Sequence, residues 1–258
     1  MQHHDFSEKK SEPKIDIDYI EMTKKFGKND ALLALFASLG IFVLMAIVGI
    51  YPVILSQEEV IQHSWGGWSQ YRAGIIIGIS LVITPLVITQ IKKQELFPKF
   101  NKKKVFKSLR LALVFSAALS LPFIGSIVEN GFSVAETPRI SILTAILLFI
   151  LAFGERVFYT AFVGPRFYGA FTKKGLSIFV TGLMFAMGHF LTTGANLVNS
   201  GLSLLSATVV TGVVFSTLYY LLAHALFHWM YAKYNNIWGP AFLHFYLNFF
   251  LMGVFTPR

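Results

Sequence analysis

The sequence contains no cysteine among its 258 residues. Disulfides, thiolate nucleophiles and cysteine-based zinc or iron–sulfur sites are therefore excluded. Charge is also scarce, because only 14% of the residues are charged, whereas roughly 25% are charged in a typical soluble domain. Hydrophobic residues make up 55% of the chain, and the mean hydropathy is +0.61. This composition argues against an ordinary soluble protein.

Long apolar segments take up most of the chain. A helix of about 20 apolar residues spans a bilayer, and hydrocarbon leaves a spanning backbone no hydrogen-bond partners except its own. The sequence therefore predicts an all-α fold, a polytopic bundle of about seven transmembrane helices. The predicted spans lie at about 31–55, 71–91, 109–128, 140–163, 176–193, 202–222 and 237–255. We expect a membrane domain at 31–258 after a polar cytoplasmic tail at 1–30, partly disordered, with a candidate interfacial helix around 15–26.

The net charge of +9 is distributed unevenly between these segments. Most Lys and Arg residues fall in the tail and in the segments at 92–110, 164–175 and 223–236, which predicts an N-terminus on the inside. We expect the basic surface to meet anionic membrane lipids and not nucleic acid. The segment at 92–110 is interpreted as a topology anchor. The alternative is a docking site for an acidic partner or for lipid headgroups.

An acidic side chain inside an apolar span is the most informative feature. A charge near the bilayer centre costs about 2.5–3.5 kcal/mol on insertion scales, and Glu155 is the only acidic residue deep within a predicted span. We interpret Glu155 as functional, with a structural ion pair to Arg156 or Arg166 as the alternative. Neighbouring residues of a helix point about 100° apart. We therefore expect Arg156 to extend towards the inner membrane interface.

Histidines in the later spans are the next candidates. His189 lies on an apolar helix, where a histidine is usually a packing residue. His244 and Asn248 are four residues apart, so they share one helix face. That face could combine a proton acceptor with an amide donor, and tight packing between polar helices is the alternative.

A second histidine pair has the same spacing. His224 and His228 resemble the two histidines of a zinc-binding helix, but Ala225 occupies the position of the glutamate in that motif. The pair falls where the sixth predicted span meets the inner surface. We therefore favour a structural role at the interface.

These residues, in this order, resemble the CPBP family of intramembrane proteases. That family includes CAAX prenyl endopeptidases and bacteriocin-processing or self-immunity proteins, and its pattern is EExxxR, FxxxH and HxxxN on separate helices. Phe185 and His189 meet the second motif, and His244 and Asn248 meet the third. The resemblance covers about residues 140–250, which would form a protease-like core.

The first motif departs from the family pattern. If Glu155 is the second glutamate, Gly154 replaces the first and Tyr159 replaces the arginine. If Glu155 is the first, Arg156 replaces the second glutamate and Thr160 replaces the arginine. The sequence leaves both registers open. The choice matters because the family's general base is usually assigned to the first glutamate.

The resemblance implies an enzyme, an intramembrane endopeptidase that cleaves a membrane-associated peptide or protein in a bacterial cytoplasmic membrane. The implied catalytic residues are Glu155, which takes a proton from water, His189, which holds that water, His244, which supports it, and Asn248, which donates to the oxyanion. A divalent metal such as zinc is a second version. Glu155, His189 and His244 would then be its ligands, leaving no second carboxylate in the motif as the base.

Two other function classes compete with proteolysis. The altered first motif favours a catalytically impaired scaffold or immunity protein that binds a partner. Intramembrane Glu and His side chains also occur in the proton relays of transporters. The sequence has no repeated halves of the kind that transporters show, so we rank transport last.

Overall fold

The computed structural model describes residues 15–55, 68–130, 142–199 and 206–249, and these residues form an all-helical bundle without strands. A π-helical segment, Arg156–Val163, connects α5 to α6. The α-helices are α1 (Ile17–Lys24), α2 (Lys28–Leu55), α3 (Trp68–Ile91), α4 (Lys102–Asn130), α5 (Ile142–Glu155), α6 (Gly164–Ala170), α7 (Lys174–Asn199), α8 (Ala207–Tyr234) and α9 (Trp238–Tyr246). The predicted all-α membrane fold is confirmed.

The helices expose apolar side chains outward. On α2 the exposed residues recur every three or four positions, which places them on one face. They are Leu32, Phe36, Leu39, Val43 and Ile47. Similar rows of exposed Ile, Leu and Val residues lie on α3 and α8. Water would penalise such surfaces, whereas lipid tails solvate them, so the bundle is built for a membrane.

Four helical stretches of the described chain are long and apolar enough to cross a membrane. They are Lys28–Val48, Gly74–Ile91, Ala145–Ala170 and Ala207–Tyr234. The other predicted spans coincide with α4, α7 and α9, and residues 250–255 of the last span lie outside the described residues. The count of seven spans and the inward N-terminus stay predictions.

The polar N-terminal region contributes a helix to the bundle. Asp16 caps α1 by accepting a hydrogen bond from the backbone N–H of Asp18, and the backbone N–H of Asp16 donates to Ala232 at the end of α8. Tyr19 is fully buried, and Lys104 at the start of α4 forms ion pairs with Asp16 and Asp18. Residues 15–24 therefore cover one end of the bundle, and residues 1–14 lie outside the described chain.

The π-helical segment lies at the centre of the bundle. All eight of its residues are buried, and it contacts α2, α3, α7 and α8. Its wider winding is visible where the backbone N–H of Gly164 donates to the carbonyl of Tyr159, five residues earlier. Single turns of π-helix occur frequently at functional sites, and this one begins directly after Glu155.

Candidate active site

Close packing of two helices fixes the position of Glu155. The neighbouring Gly154 faces α3, where an added Cβ atom would lie 2.8 Å from the carbonyl oxygen of Gly78. Helices approach this closely only through small residues. Because position 154 is packed against α3, the next residue, Glu155, points to another side of the helix.

The carboxylate of Glu155 faces both histidines that the sequence singled out. Its Oε1 atom lies 3.8 Å from Nε2 of His189 on α7, and its Oε2 atom lies 3.3 Å from Nε2 of His244 on α9. The side chain of His244 is 3% exposed, whereas that of His189 is 18% exposed. Three helices therefore contribute to one group of side chains, in which His189 is the more exposed of the two histidines.

The predicted amide belongs to the same group. Asn248 lies in the π-helical turn after α9, and its Nδ2 atom is 3.3 Å from Nε2 of His244. When the amide donates this hydrogen bond, Nε2 of His244 is the acceptor and its proton resides on Nδ1. We call Glu155, His189, His244 and Asn248 the site cluster. The structure brings all four predicted residues together.

Aromatic rings hold the two site histidines. The ring of Tyr220 on α8 stacks on His189, with centroids 3.8 Å apart and an angle of 7° between the planes. Phe185, one turn before His189, also contacts it at 4.7 Å between centroids. On the other side, Phe227 lies 5.1 Å from the ring of His244. Tyr220 and Phe227 are new to the site, since neither falls in a motif and only the packing of α8 reveals them.

Arg156 corrects an expectation. It does not extend to the membrane interface: its side chain is fully buried. The guanidinium carbon lies over the rings of Phe185 and Phe227, at 4.3 and 4.4 Å from their centroids. A buried cation needs compensation, and a desolvated contact with a ring face supplies a stabilising part of it. Sequence reasoning missed this because both rings come from other helices.

Arg156 contacts one further position of the altered motif. Its Nη1 atom lies 3.4 Å from Oγ1 of Thr160, and both residues are fully buried. Within the described chain, the Nε and Nη2 atoms of Arg156 make no hydrogen bond. Positions 156 and 160 therefore form a pair of neighbouring side chains on the π-helical segment.

The second histidine pair forms a separate cluster. Nε2 of His224 lies 3.0 Å from Oγ1 of Thr181, and Nε2 of His228 lies 3.0 Å from the hydroxyl of Tyr19. We call Tyr19, Thr181, His224 and His228 the tyrosine–histidine cluster. Both histidines are buried and contact hydroxyl groups, and no ion pair to either occurs among the described residues. This arrangement suits the structural role predicted from the sequence.

The side chains do not fit a metal ion as they stand. Among residues 15–55, 68–130, 142–199 and 206–249, no three His, Asp or Glu side chains are grouped as ligands of one ion would be. The Nε2 atom of His244 faces Glu155 and Asn248 directly. This geometry suits hydrogen bonding and proton exchange between protein groups.

Comparison with known families assigns the segment that holds the site. Residues 137–250 match the family model of the type II CAAX prenyl endopeptidase Rce1-like proteins. No curated protein and no solved structure matches the chain. The match confirms the resemblance predicted from the three motifs, over nearly the same residues.

Proposed function

Because residues 137–250 carry a domain of the CPBP (CAAX protease) family, we propose that this protein is an intramembrane endopeptidase whose catalytic residues are Glu155, His189, His244 and Asn248. The matching family model is described as a prenyl endopeptidase, which supports a protease, and the apolar helices support an integral membrane protein. The observation that carries the proposal is the convergence of one carboxylate and two imidazoles, from three helices, at distances of 3.3 and 3.8 Å.

Glu155 acts as the general base in the proposed reaction. Its Oε1 atom faces His189, the more exposed of the two histidines, so this oxygen is the one placed to accept a proton from water. The resulting hydroxide attacks the carbonyl carbon of the scissile peptide, and Glu155 then returns the proton to the leaving amine as the C–N bond breaks. A positioned base of this kind contributes about 10²–10⁴-fold in rate.

The other three side chains orient and stabilise the reacting groups. His189, which stacks on Tyr220 and is the more exposed of the two histidines, holds the attacking water. His244 supports this water from the facing helix, with its Nε2 atom 3.3 Å from Oε2 of Glu155. Asn248 lies one turn further along, and its amide donates to the oxyanion that develops on the substrate carbonyl. A donor aimed at a developing oxyanion is worth about 10²–10³-fold in rate.

The packing supports the register in which Glu155 is the first glutamate of the motif. In the other register Gly154 would take that place, and this position faces Gly78 with no room for a longer side chain. In the favoured register the second glutamate and the arginine fall at Arg156 and Thr160, and these two side chains contact each other. The residue usually assigned as the base is therefore retained.

A membrane-associated peptide or protein is the proposed substrate class. The name of the matching family makes a prenylated CAAX peptide the first probe. Leader peptides of a bacterial cytoplasmic membrane, including those linked to bacteriocin immunity, form a second set. Activity retained in protein shown to be free of metal by elemental analysis would support base catalysis by Glu155 alone. Loss on chelation with recovery on zinc addition would instead favour the metal version.

Comparison of membrane peptides tests the proposal. Membranes from cells producing the wild-type protein, Glu155→Gln and the matched control Glu95→Gln, which changes an exposed acid, are analysed by mass spectrometry. We expect an uncut precursor to accumulate with Glu155→Gln alone. Identical peptide profiles for all three proteins, at equal abundance in the membrane, would contradict proteolysis and favour the scaffold hypothesis.

A further inference from the structure

A buried cation lies next to the site cluster, and the proposed reaction does not use it. Arg156 follows the base directly in sequence and is fully buried. Among the described residues, Arg156 forms no ion pair with a carboxylate, because the carboxylate of Glu155 faces the two histidines instead. An arginine remains charged at any physiological pH. A fixed positive charge therefore lies beside the base.

Two aromatic rings connect this charge to the two site histidines. Phe185 and Phe227, which we call the aromatic clamp, both contact the guanidinium, whose carbon lies 4.3 and 4.4 Å from their ring centroids. Phe185 contacts the ring of His189, and Phe227 contacts the ring of His244. One side chain thus holds both rings that pack against the histidines, and it does so from the backbone position next to Glu155.

The position of this cation matches the departure of the chain from the family pattern. In the register favoured above, the pattern has a glutamate at position 156 and an arginine at position 160, whereas this chain has Arg156 and Thr160. Arg156 contacts Thr160 across one turn. The arginine of this chain therefore stands four residues earlier than the arginine of the family pattern. Its side chain still contacts position 160, where the pattern has that arginine.

We propose that Arg156 is a positioning residue for hydrolysis, which supplies from position 156 the positive charge that the family pattern places at position 160 and holds the aromatic clamp against His189 and His244. The proposal rests on the proposed function. It accounts for the presence of an arginine without a directly contacting carboxylate in the bundle interior, where an unpaired charge is otherwise costly. It also implies that the altered first motif does not inactivate the protein.

A matched control is present in the same span. Arg166 is also fully buried and also lies over two rings, those of Phe26 and Phe162. Its guanidinium donates hydrogen bonds to the carbonyl of Phe162 and to Gln94, away from the site cluster. Substitution of Arg166 removes a buried, ring-stacked cation without touching the histidines.

The experiment measures cleavage of the precursor that accumulates with Glu155→Gln, using purified variants of the full chain in detergent. For Arg156→Met we expect kcat to fall about 100-fold, as for a small misplacement of catalytic groups, with KM unchanged. Arg156→Lys, which keeps the charge, should recover at least tenfold of that loss. Arg166→Met should leave kcat within threefold, with thermal melts reporting folding for every variant.

A charge swap keeps the test decisive if Arg156→Met does not fold. The double variant Arg156→Glu/Thr160→Arg restores the family pattern and should exceed the single variant Arg156→Glu at least tenfold in kcat. Wild-type kcat in Arg156→Met, equal losses in Arg156→Met and Arg166→Met, or a folded swap variant no better than Arg156→Glu would each overturn the inference. If no precursor accumulates with Glu155→Gln, the proposed function itself fails, which separates the two failures.

Discussion

Two pairs of histidines lie in this bundle, and their surroundings differ. His189 and His244 face the carboxylate of Glu155. His224 and His228 face the hydroxyls of Thr181 and Tyr19 instead. A carboxylate can exchange protons with water near neutral pH, whereas a hydroxyl of ordinary acidity cannot. In the proposed function it is the group opposite the ring, and not the i,i+4 spacing, that distinguishes a catalytic histidine from a structural one.

Removal of the carboxylate should have the largest effect, because it deletes the feature that separates the two clusters. Glu155→Gln keeps the shape of the side chain and abolishes its ability to accept a proton. We expect precursor cleavage to fall by about 10²–10⁴-fold with little change in the thermal melt. Cleavage within threefold of wild type would show that the carboxylate is not the base.

Equivalent substitutions in the two pairs should give opposite results. His244→Ala removes a side chain in contact with Glu155, and we expect about a 10²–10³-fold loss of cleavage, similar to the loss of an oxyanion donor. His228→Ala should leave cleavage of the folded protein within threefold, since its partner is the hydroxyl of Tyr19. Rates of the purified variants, each corrected for folded fraction, check this contrast. Equal losses would remove the distinction between the clusters.

The tyrosine–histidine cluster should affect stability instead. Tyr19→Phe deletes the hydroxyl that lies 3.0 Å from Nε2 of His228 and leaves that buried nitrogen without its partner. Such a loss typically costs about 1–3 kcal/mol. We expect a lower melting temperature with an unchanged cleavage rate per folded molecule. A fall in rate without a fall in melting temperature would place Tyr19 in the catalytic apparatus.

The ion pairs that attach α1 should give the smallest effect. The ammonium of Lys104, which donates a hydrogen bond to Asp18 and adds its charge, lowers the pKa of that carboxyl. Because the folded-state pKa is lowered, the stabilisation is present above the ordinary aspartate pKa of about 4 and is lost as the pH falls through the lowered value. Asp18→Asn should therefore melt slightly earlier than wild type at pH 7, and the difference should shrink as the pH falls below the ordinary aspartate pKa. A difference that grows towards acid would contradict this sign.

Much of the site could be predicted because its four residues fall in short sequence motifs. Each of the four is a polar residue in an apolar span and is therefore conspicuous in the sequence: Glu155, His189, His244 and Asn248. Polar residues within spans face the bundle interior, because lipid does not solvate them. Their order along the chain then identified the family. The all-α fold followed from the same apolar segments, since a lipid-exposed backbone has few alternatives.

The surroundings of the site could not be predicted. The location of Arg156 depends on Phe185 and Phe227, which come from α7 and α8, and sequence spacing within one helix carries no information about them. The π-helical winding after Glu155 leaves no distinct hydrophobic period in this mostly apolar span. The attachment of α1 depends on the fit of Tyr19 beside His228, a contact across 209 positions of the chain.

A double-variant cycle between Glu155 and His244 tests most directly whether these residues act as one unit. Residues of a catalytic unit are strongly non-additive, so that removal of the second costs little once the first is gone. We predict that Glu155→Gln/His244→Ala cleaves the precursor at the rate of Glu155→Gln alone, within about threefold. A double variant in which the two single losses multiply would show that the residues act independently and would contradict the shared site.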